Sequence, residues 1–291
     1  MPELPEVETI VNDLRPRLVG RRIVGVQSDC PKYFGASSLR RFKRCVLGRT
    51  IVAVERRAKR IVIDLDNDWL LVIHQKISGR LLVGRWRRRR PRPRAASSSP
   101  WEPRSPSGGR FVHLLFDLDD GRQLGLSDLR KFATILCGPR GSVMSLPEMS
   151  SIGPEPLDPA FTYEAFHARC RGRHGAIKPT LMNPAFIAGI GNIYSDEILY
   201  AAGIHPLSAI DRLRKRQLEA LFHAIKAVLT RAVRLRGTGV DAPPLPERHA
   251  RGYDRVRLVY HRIVCPRGHR LRRIKIGGRS AHFCPVEQHR S

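Results

Sequence analysis

The first turn of the chain carries three groups that can act on a single carbon. MPELPEV puts Pro2 behind a trimmable methionine, with carboxylates at Glu3 and Glu6. Removing Met1 would expose a secondary amine on Pro2. An amine nucleophile beside an acid is what Schiff-base chemistry on a carbonyl or a sugar C1′ requires. Glu3 and Glu6 lie three apart on a first turn, where the helix dipole favours carboxylates. Taken alone, the same residues are an ordinary acid-capped helix start.

A helix must hold these groups. Pro2 suits its first position, because the ring pre-sets φ and the missing N–H needs no partner. Leu4, Val7, Ile10, Val11, Leu14 and Leu18 then recur at steps of three and four. Beyond it, RRIVGVQ, TIVAVERR, RIVIDL, WLLVIHQ, RLLVG, FVHLLFDL and QLGLSDL read as short strands separated by turn signals, an antiparallel sandwich or barrel. Residues 85–110 interrupt them with an Arg-, Pro- and Ser-rich run that reads as a mobile basic loop. From about 155 the pattern turns helical, through YEAFHARC, AIKPTLM, YSDEILYAAG and LRKRQLEALFHAIKAVLTRAV. Gly189 to Gly191 make a tight turn before one of these helices, where glycine would let the backbone approach a phosphate at the helix N-terminus.

Composition narrows the partner. The 291 residues suffice for about two domains. Lys plus Arg number 53 against 26 acidic residues, a net charge of +27, which calls for a polyanion. Nucleic acid leads and an anionic membrane surface is the alternative. No apolar run reaches the length of a membrane span, and the start is an acidic amphipathic helix, not a secretory leader. Cys30, Cys45, Cys137 and Cys170 show no pairing pattern and read as thiols of a reducing compartment.

PELPEVE, HQKISG, SDLRKF and NPAFIAGIGNIYSDEILYAAGIHP together resemble the formamidopyrimidine-DNA glycosylase family. The resemblance covers nearly the whole chain apart from residues 85–110 and the loop GTGVDAPPLPERHARG, which in the family closes over a flipped base. It implies an α+β protein of three parts: an N-terminal helix with an antiparallel β-sandwich (1–148), a helix-two-turn-helix domain (155–250) and a C-terminal β-hairpin zinc finger (256–291). It also implies roles. Lys59, in RRAKR, would join Pro2, Glu3 and Glu6 at the lesion, with Ala58 in place of the usual glycine. Ile77 would wedge between bases where the family has Met, and apolar Ile can do so. Arg130 would fill the hole left by a flipped base, with Phe132 beside it and Ala133 in place of a glycine. Asn192 and Lys178 would contact phosphates, and Arg279 would clamp them from the hairpin tip.

The family's finger carries two C-x2-C pairs. This chain keeps Cys265 and Cys284 but has Gly268 and Glu287 where the partners fall; His269 and His289 offer C-x3-H and C-x4-H pairs instead. Cys265, His269, Cys284 and His289 are therefore expected to hold one structural Zn2+. The expected protein is a monomeric, cytoplasmic, nucleoid-associated glycosylase and abasic-site lyase that takes oxidised purines from duplex DNA through a Schiff base at Pro2. Two alternatives stay open, an endonuclease VIII-like enzyme for oxidised pyrimidines and a non-catalytic DNA-binding homologue.

Overall fold

The computed structural model describes residues 1–35, 37–89, 99–104, 111–238 and 252–290. They form an α+β protein of two compact units. One comprises Met1–Pro2 and Val7–Ser150; the other comprises Glu3–Glu6 with the described residues of Ser151–Gly239 and Arg251–Ser291. The expected zinc-finger part thus belongs to the same unit as the helical part.

In the first unit, α1 (Leu4–Leu18) leads into β1 (Ile23–Ser28), α2 (Leu39–Val46), β2 (Ile51–Arg57), β3 (Arg60–Leu65), β4 (Trp69–His74) and β5 (Gly79–Gly84). Then come β6 (Trp86–Arg88), β7 (Trp101–Pro103), β8 (Val112–Leu118), β9 (Gln123–Asp128), β10 (Thr134–Pro139), α3 (Arg140–Ser145) and α4 (Pro147–Ser150). Two antiparallel four-stranded sheets, ordered β1-β8-β9-β5 and β10-β4-β3-β2, share one core. Ile61, Ile63, Leu71 and Ile73 enter it from one sheet, and Leu114, Phe116, Leu124 and Leu126 from the other, each at the period-two spacing of a pleated strand. Val7, Val11, Leu14 and Leu18 pack their helical stripe into the same core.

Residues 90–98 and 105–110 of the expected basic loop lie outside the described residues. Its flanks are not loop: β6 pairs with β7, and Trp86 and Trp101 bury their rings with Val112 and Leu115. Burial of two indoles outweighs the polar composition around them.

The second unit holds α5 (Tyr163–Cys170), α6 (Ile177–Met182), α7 (Asn192–Ala201), α8 (Lys215–Arg234), α9 (Gly252–Val256) and the hairpin β11 (Arg272–Ile276) and β12 (Arg279–Phe283). Leu4 packs in its core with Phe166, Phe186, Tyr194 and Ile225. The hairpin turns at Gly277 and Gly278, whose φ values of 53° and 77° suit a tight two-residue turn. Ala281 and Phe283 bury one face of β12, with Phe283 meeting the His205 ring at 4.4 Å. Among the described residues no helix is long and apolar enough to cross a membrane.

Candidate functional site

Glu3 immediately precedes α1 and is 3 % exposed. Its carboxylate accepts the backbone N–H groups of Gly191 (2.6 Å), which caps α7, and of Ile193 (2.9 Å) and Tyr194 (3.4 Å) in its first turn. Three donors at a helix N-terminus make a strong anion seat. These three N–H groups are taken by the chain's own carboxylate, which leaves the Asn192 side chain as the group at this terminus for the expected phosphate. Gly189 serves the same approach. Its carbonyl accepts Leu4 N–H at 3.0 Å, its φ is +82°, and a Cβ there would lie 2.6 Å from that of Leu4.

Glu6 is committed on both oxygens. Oε2 accepts Glu3 N–H at 2.9 Å, half of a capping box. Oε1 accepts the Tyr194 hydroxyl at 2.6 Å and, from Thr238, the N–H at 2.7 Å and the hydroxyl at 3.1 Å. A Cβ on Gly237, at φ +71°, would come within 2.5 Å of that oxygen. Glu6 is a tie between the chain start and the residues that lead into the expected capping loop, of which 239–251 lie outside the described residues.

Lys178, expected at phosphate, is 1 % exposed. Its ammonium donates to Asp196 Oδ1 at 2.5 Å and to the Ser280 carbonyl at 2.8 Å. Burial lowers its pKa, while the Asp196 charge opposes that. Asp196 Oδ2 also accepts His282 N–H at 2.9 Å, so Asp196 joins α6, α7 and β12. Next to Ser280, Arg279 is exposed at the hairpin tip, and Asn192, half-buried, opens α7. Neither Asp196 nor Tyr194 was anticipated. Each sits on a helix whose residues 193–199 are all buried, so a run that looks solvent-facing is interior.

In the first unit, Ile77, Arg130 and Phe132 stand on two neighbouring turns. Asp128, fully buried, accepts the Ser78 hydroxyl at 2.5 Å and Ala133 N–H at 2.8 Å; Ser78 in turn accepts Arg130 N–H at 3.1 Å. This tie leaves Ile77 and Phe132 projecting, 40 % and 44 % exposed, with the Arg130 guanidinium 4.6 Å from the Phe132 ring centre. Ala133 is buried. Pro2 and Lys59 are half-buried, and Ala58 before Lys59 takes a left-handed φ of 54°. His74, unanticipated, is buried with an unpartnered Nδ1; burial first, then the charges of Lys76, Arg60 and Lys59, lower its pKa to about 3.

Cys265, His269 and Cys284 bring their ligand atoms within 4.8 Å of one another, with His269 Nδ1 3.6 Å from one sulfur and 3.7 Å from the other. Two sulfurs and an imidazole suit zinc. Burial opposes the Cys265 thiolate, but N–H groups of Arg267 and His269 and the Tyr200 hydroxyl outweigh it and bring the thiol down to about 7. His289, the expected fourth ligand, does not join this group. It is exposed, and its backbone is pinned by His289 N–H to Gly203 O at 3.3 Å and His205 N–H to His289 O at 3.1 Å.

Comparison with known proteins places this arrangement. Residues 1–135 match the formamidopyrimidine-DNA glycosylase N-terminal domain, and residues 152–243 match the H2TH domain of the same enzymes. The chain is 35 % identical to the formamidopyrimidine-DNA glycosylase of Pelotomaculum thermopropionicum over 99 % of both chains. It is 38 % identical to that of Chloroflexus aurantiacus over 99 % of this chain and 98 % of the other. The Lactococcus lactis Fpg protein, solved with Fapy-dG-containing DNA, superposes with a TM-score of 0.83 at 28 % identity, covering 99 % of this chain and all of that one. The same protein solved with abasic-site DNA gives a TM-score of 0.83. The chain belongs to the formamidopyrimidine-DNA glycosylase family.

Two outcomes follow. Asp128→Ala strands Ala133 N–H and the Ser78 hydroxyl and should destabilise the first unit by about 1–3 kcal/mol in urea titration. All three tryptophans, Trp69, Trp86 and Trp101, lie in that unit, so their fluorescence reads it selectively. Folded His74 titrates at about 3 against 6.5 for the free side chain, so between those values the unfolded chain binds the extra proton. Stability should fall as pH drops through this window, and His74→Gln should flatten the fall. Equal pH slopes in both proteins would remove His74 from the account.

Proposed function

We propose that this protein is a bifunctional DNA glycosylase and abasic-site lyase that removes oxidised purines, 8-oxoguanine and formamidopyrimidines, from duplex DNA. The observation that carries the reading is the buried Glu3 carboxylate, held by the N–H groups of Gly191, Ile193 and Tyr194 at the start of α7 and covalently next to Pro2. The relatives named above are formamidopyrimidine-DNA glycosylases, and the Lactococcus lactis structures hold Fapy-dG and abasic-site DNA. They do not favour the pyrimidine-specific or non-catalytic alternatives.

With Met1 removed, the Pro2 amine attacks C1′ of the flipped nucleotide as the bond from C1′ to the base breaks. The base leaves with a proton, and opening of the sugar ring gives an iminium joining Pro2 to C1′. Glu3 supplies and accepts the protons at the sugar, oriented by α7. Loss of a C2′ proton then expels the 3′ phosphate, and a second elimination expels the 5′ phosphate. Glu6 holds Glu3 and Thr238 in place. Lys59, Asn192 and Arg279 bind phosphates beside the lesion, and Lys178 acts on them through Asp196 and Ser280. Ile77, Arg130 and Phe132 occupy the space that the flipped base vacates. Zinc at Cys265, His269 and Cys284 would stiffen the base of the hairpin that carries Arg279 and takes no part in bond cleavage. The enzyme works as a monomer in the cytoplasm, on the nucleoid.

Borohydride should trap a covalent adduct between the protein and 8-oxoguanine duplex, and Pro2→Gly or one extra N-terminal residue should abolish it. Full trapping by the extended protein would sink the Pro2 assignment. Arg130→Ala should slow excision of 8-oxoguanine opposite cytosine more than cleavage at an abasic site, where no base has to be displaced. Equal losses on both substrates would count against void filling.

A further inference from the structure

We propose that Glu287 is the fourth metal ligand, completing a set of two sulfurs, one nitrogen and one oxygen with Cys265, Cys284 and His269. This rests on the reading that the three-residue group binds zinc. His269 Nδ1 stands 3.3 Å from Glu287 Oε1, as well as 3.6 Å and 3.7 Å from the two sulfurs. Around tetrahedral zinc, with bonds of about 2.3 Å to sulfur and about 2.0–2.1 Å to nitrogen and oxygen, ligand separations of about 3.5 Å (S to N) and about 3.3 Å (N to O) follow. The two edges from Nδ1 to sulfur have that length, and Oε1 stands within reach of the same nitrogen.

The backbone brings residue 287 to the site. Gln288 N–H donates to the Cys284 carbonyl at 3.0 Å, and Cys284 N–H donates to Gln288 Oε1 at 2.8 Å. The chain is thereby curled back on itself, so residue 287 lies over the turn that starts at Cys284. The Glu287 side chain is only 19 % exposed. Its other oxygen is paired with Arg267 at 2.8 Å, which draws the carboxylate outward. The tightly grouped ligand atoms are those of the other three residues. Closing the set needs a side-chain rotation that moves Oε1 from His269 toward the common centre. Oxygen is an accepted zinc donor, and a carboxylate adds a negative charge in a chain of net charge +27.

The full-length chain is titrated with Zn2+ against a chromophoric chelator, and with Co2+ to read thiolate charge transfer and the d–d bands. The wild-type protein should bind one equivalent and show an intense, tetrahedral Co2+ spectrum. Glu287→Ala should lower zinc affinity by at least about 10-fold, the smallest loss expected when a group that merely orients a ligand is removed. It should also shift the Co2+ d–d bands. Glu287→Cys should restore or exceed wild-type affinity and strengthen the charge-transfer band. His289→Ala should leave affinity unchanged, and Arg267→Ala, which frees the Glu287 carboxylate from its outward partner, should not lower it. Unchanged zinc affinity in Glu287→Ala, or a loss in His289→Ala instead, would overturn the assignment. No zinc bound by wild type, with Cys284→Ser indistinguishable from it, would overturn the underlying reading of the site as a zinc centre.

Discussion

The contact on which the site depends is one carboxylate on one helix end. Glu3 accepts N–H groups from Gly191, Ile193 and Tyr194, and so anchors the third residue of the chain to α7. Those N–H groups have no partner within their own helix and need one from elsewhere. The glycine at 189 and the capping-box contact from Glu6 make the same approach possible from two sides. An acid fixed in this way is positioned before any substrate arrives. A carboxylate on a flexible N-terminus would offer the same functional group without a defined position.

Elsewhere in the second unit the same economy of buried charge recurs. Asp196 ties Lys178 and the backbone of His282, and Glu197 accepts the N–H groups of Leu258, Val259 and Tyr260. Buried carboxylates of this kind are tolerated because each oxygen is paired. Their consequence is mechanical. They tie β12 and the segment leading to the hairpin to α6 and α7, leaving Arg279 at an exposed tip. In the first unit Asp128 does the corresponding work for two turns, and the projecting Ile77 and Phe132 are the result.

Much of this was legible in the sequence. The period-two strands and the helical stripe from Leu4 to Leu18 report burial directly, and the sheets and α1 follow them. The motif residues carried their types on the surface of the text. Missed features share a cause: their signal is tertiary. LRRFKRCV hides α2 because only Phe42 and Val46 face inward among basic residues. Asp196 and Glu197 look like a solvent face until α7 is buried all round. Lys178 has the residue type of a phosphate contact, but its neighbours in space, Asp196 and Ser280, are 18 and 102 residues away in sequence. His289 has a ligand's spacing from Cys284, yet the backbone pairing at Gly203 and His205 holds it elsewhere. The two indoles of β6 and β7 were masked by an arginine-rich context whose charge says nothing about which rings are covered.

Glu3 is the point where fold and chemistry coincide, so it is where the account is most exposed. Glu3→Gln keeps the size of the side chain and one acceptor oxygen toward α7 while removing its acid and base capacity. Single-turnover excision of 8-oxoguanine, measured alongside equilibrium binding to the same duplex, separates the two roles. The account predicts a fall in the excision rate of about 10²-fold or more, with affinity for the duplex close to wild type. An excision rate within a few-fold of wild type, or a loss confined to DNA binding, would contradict it.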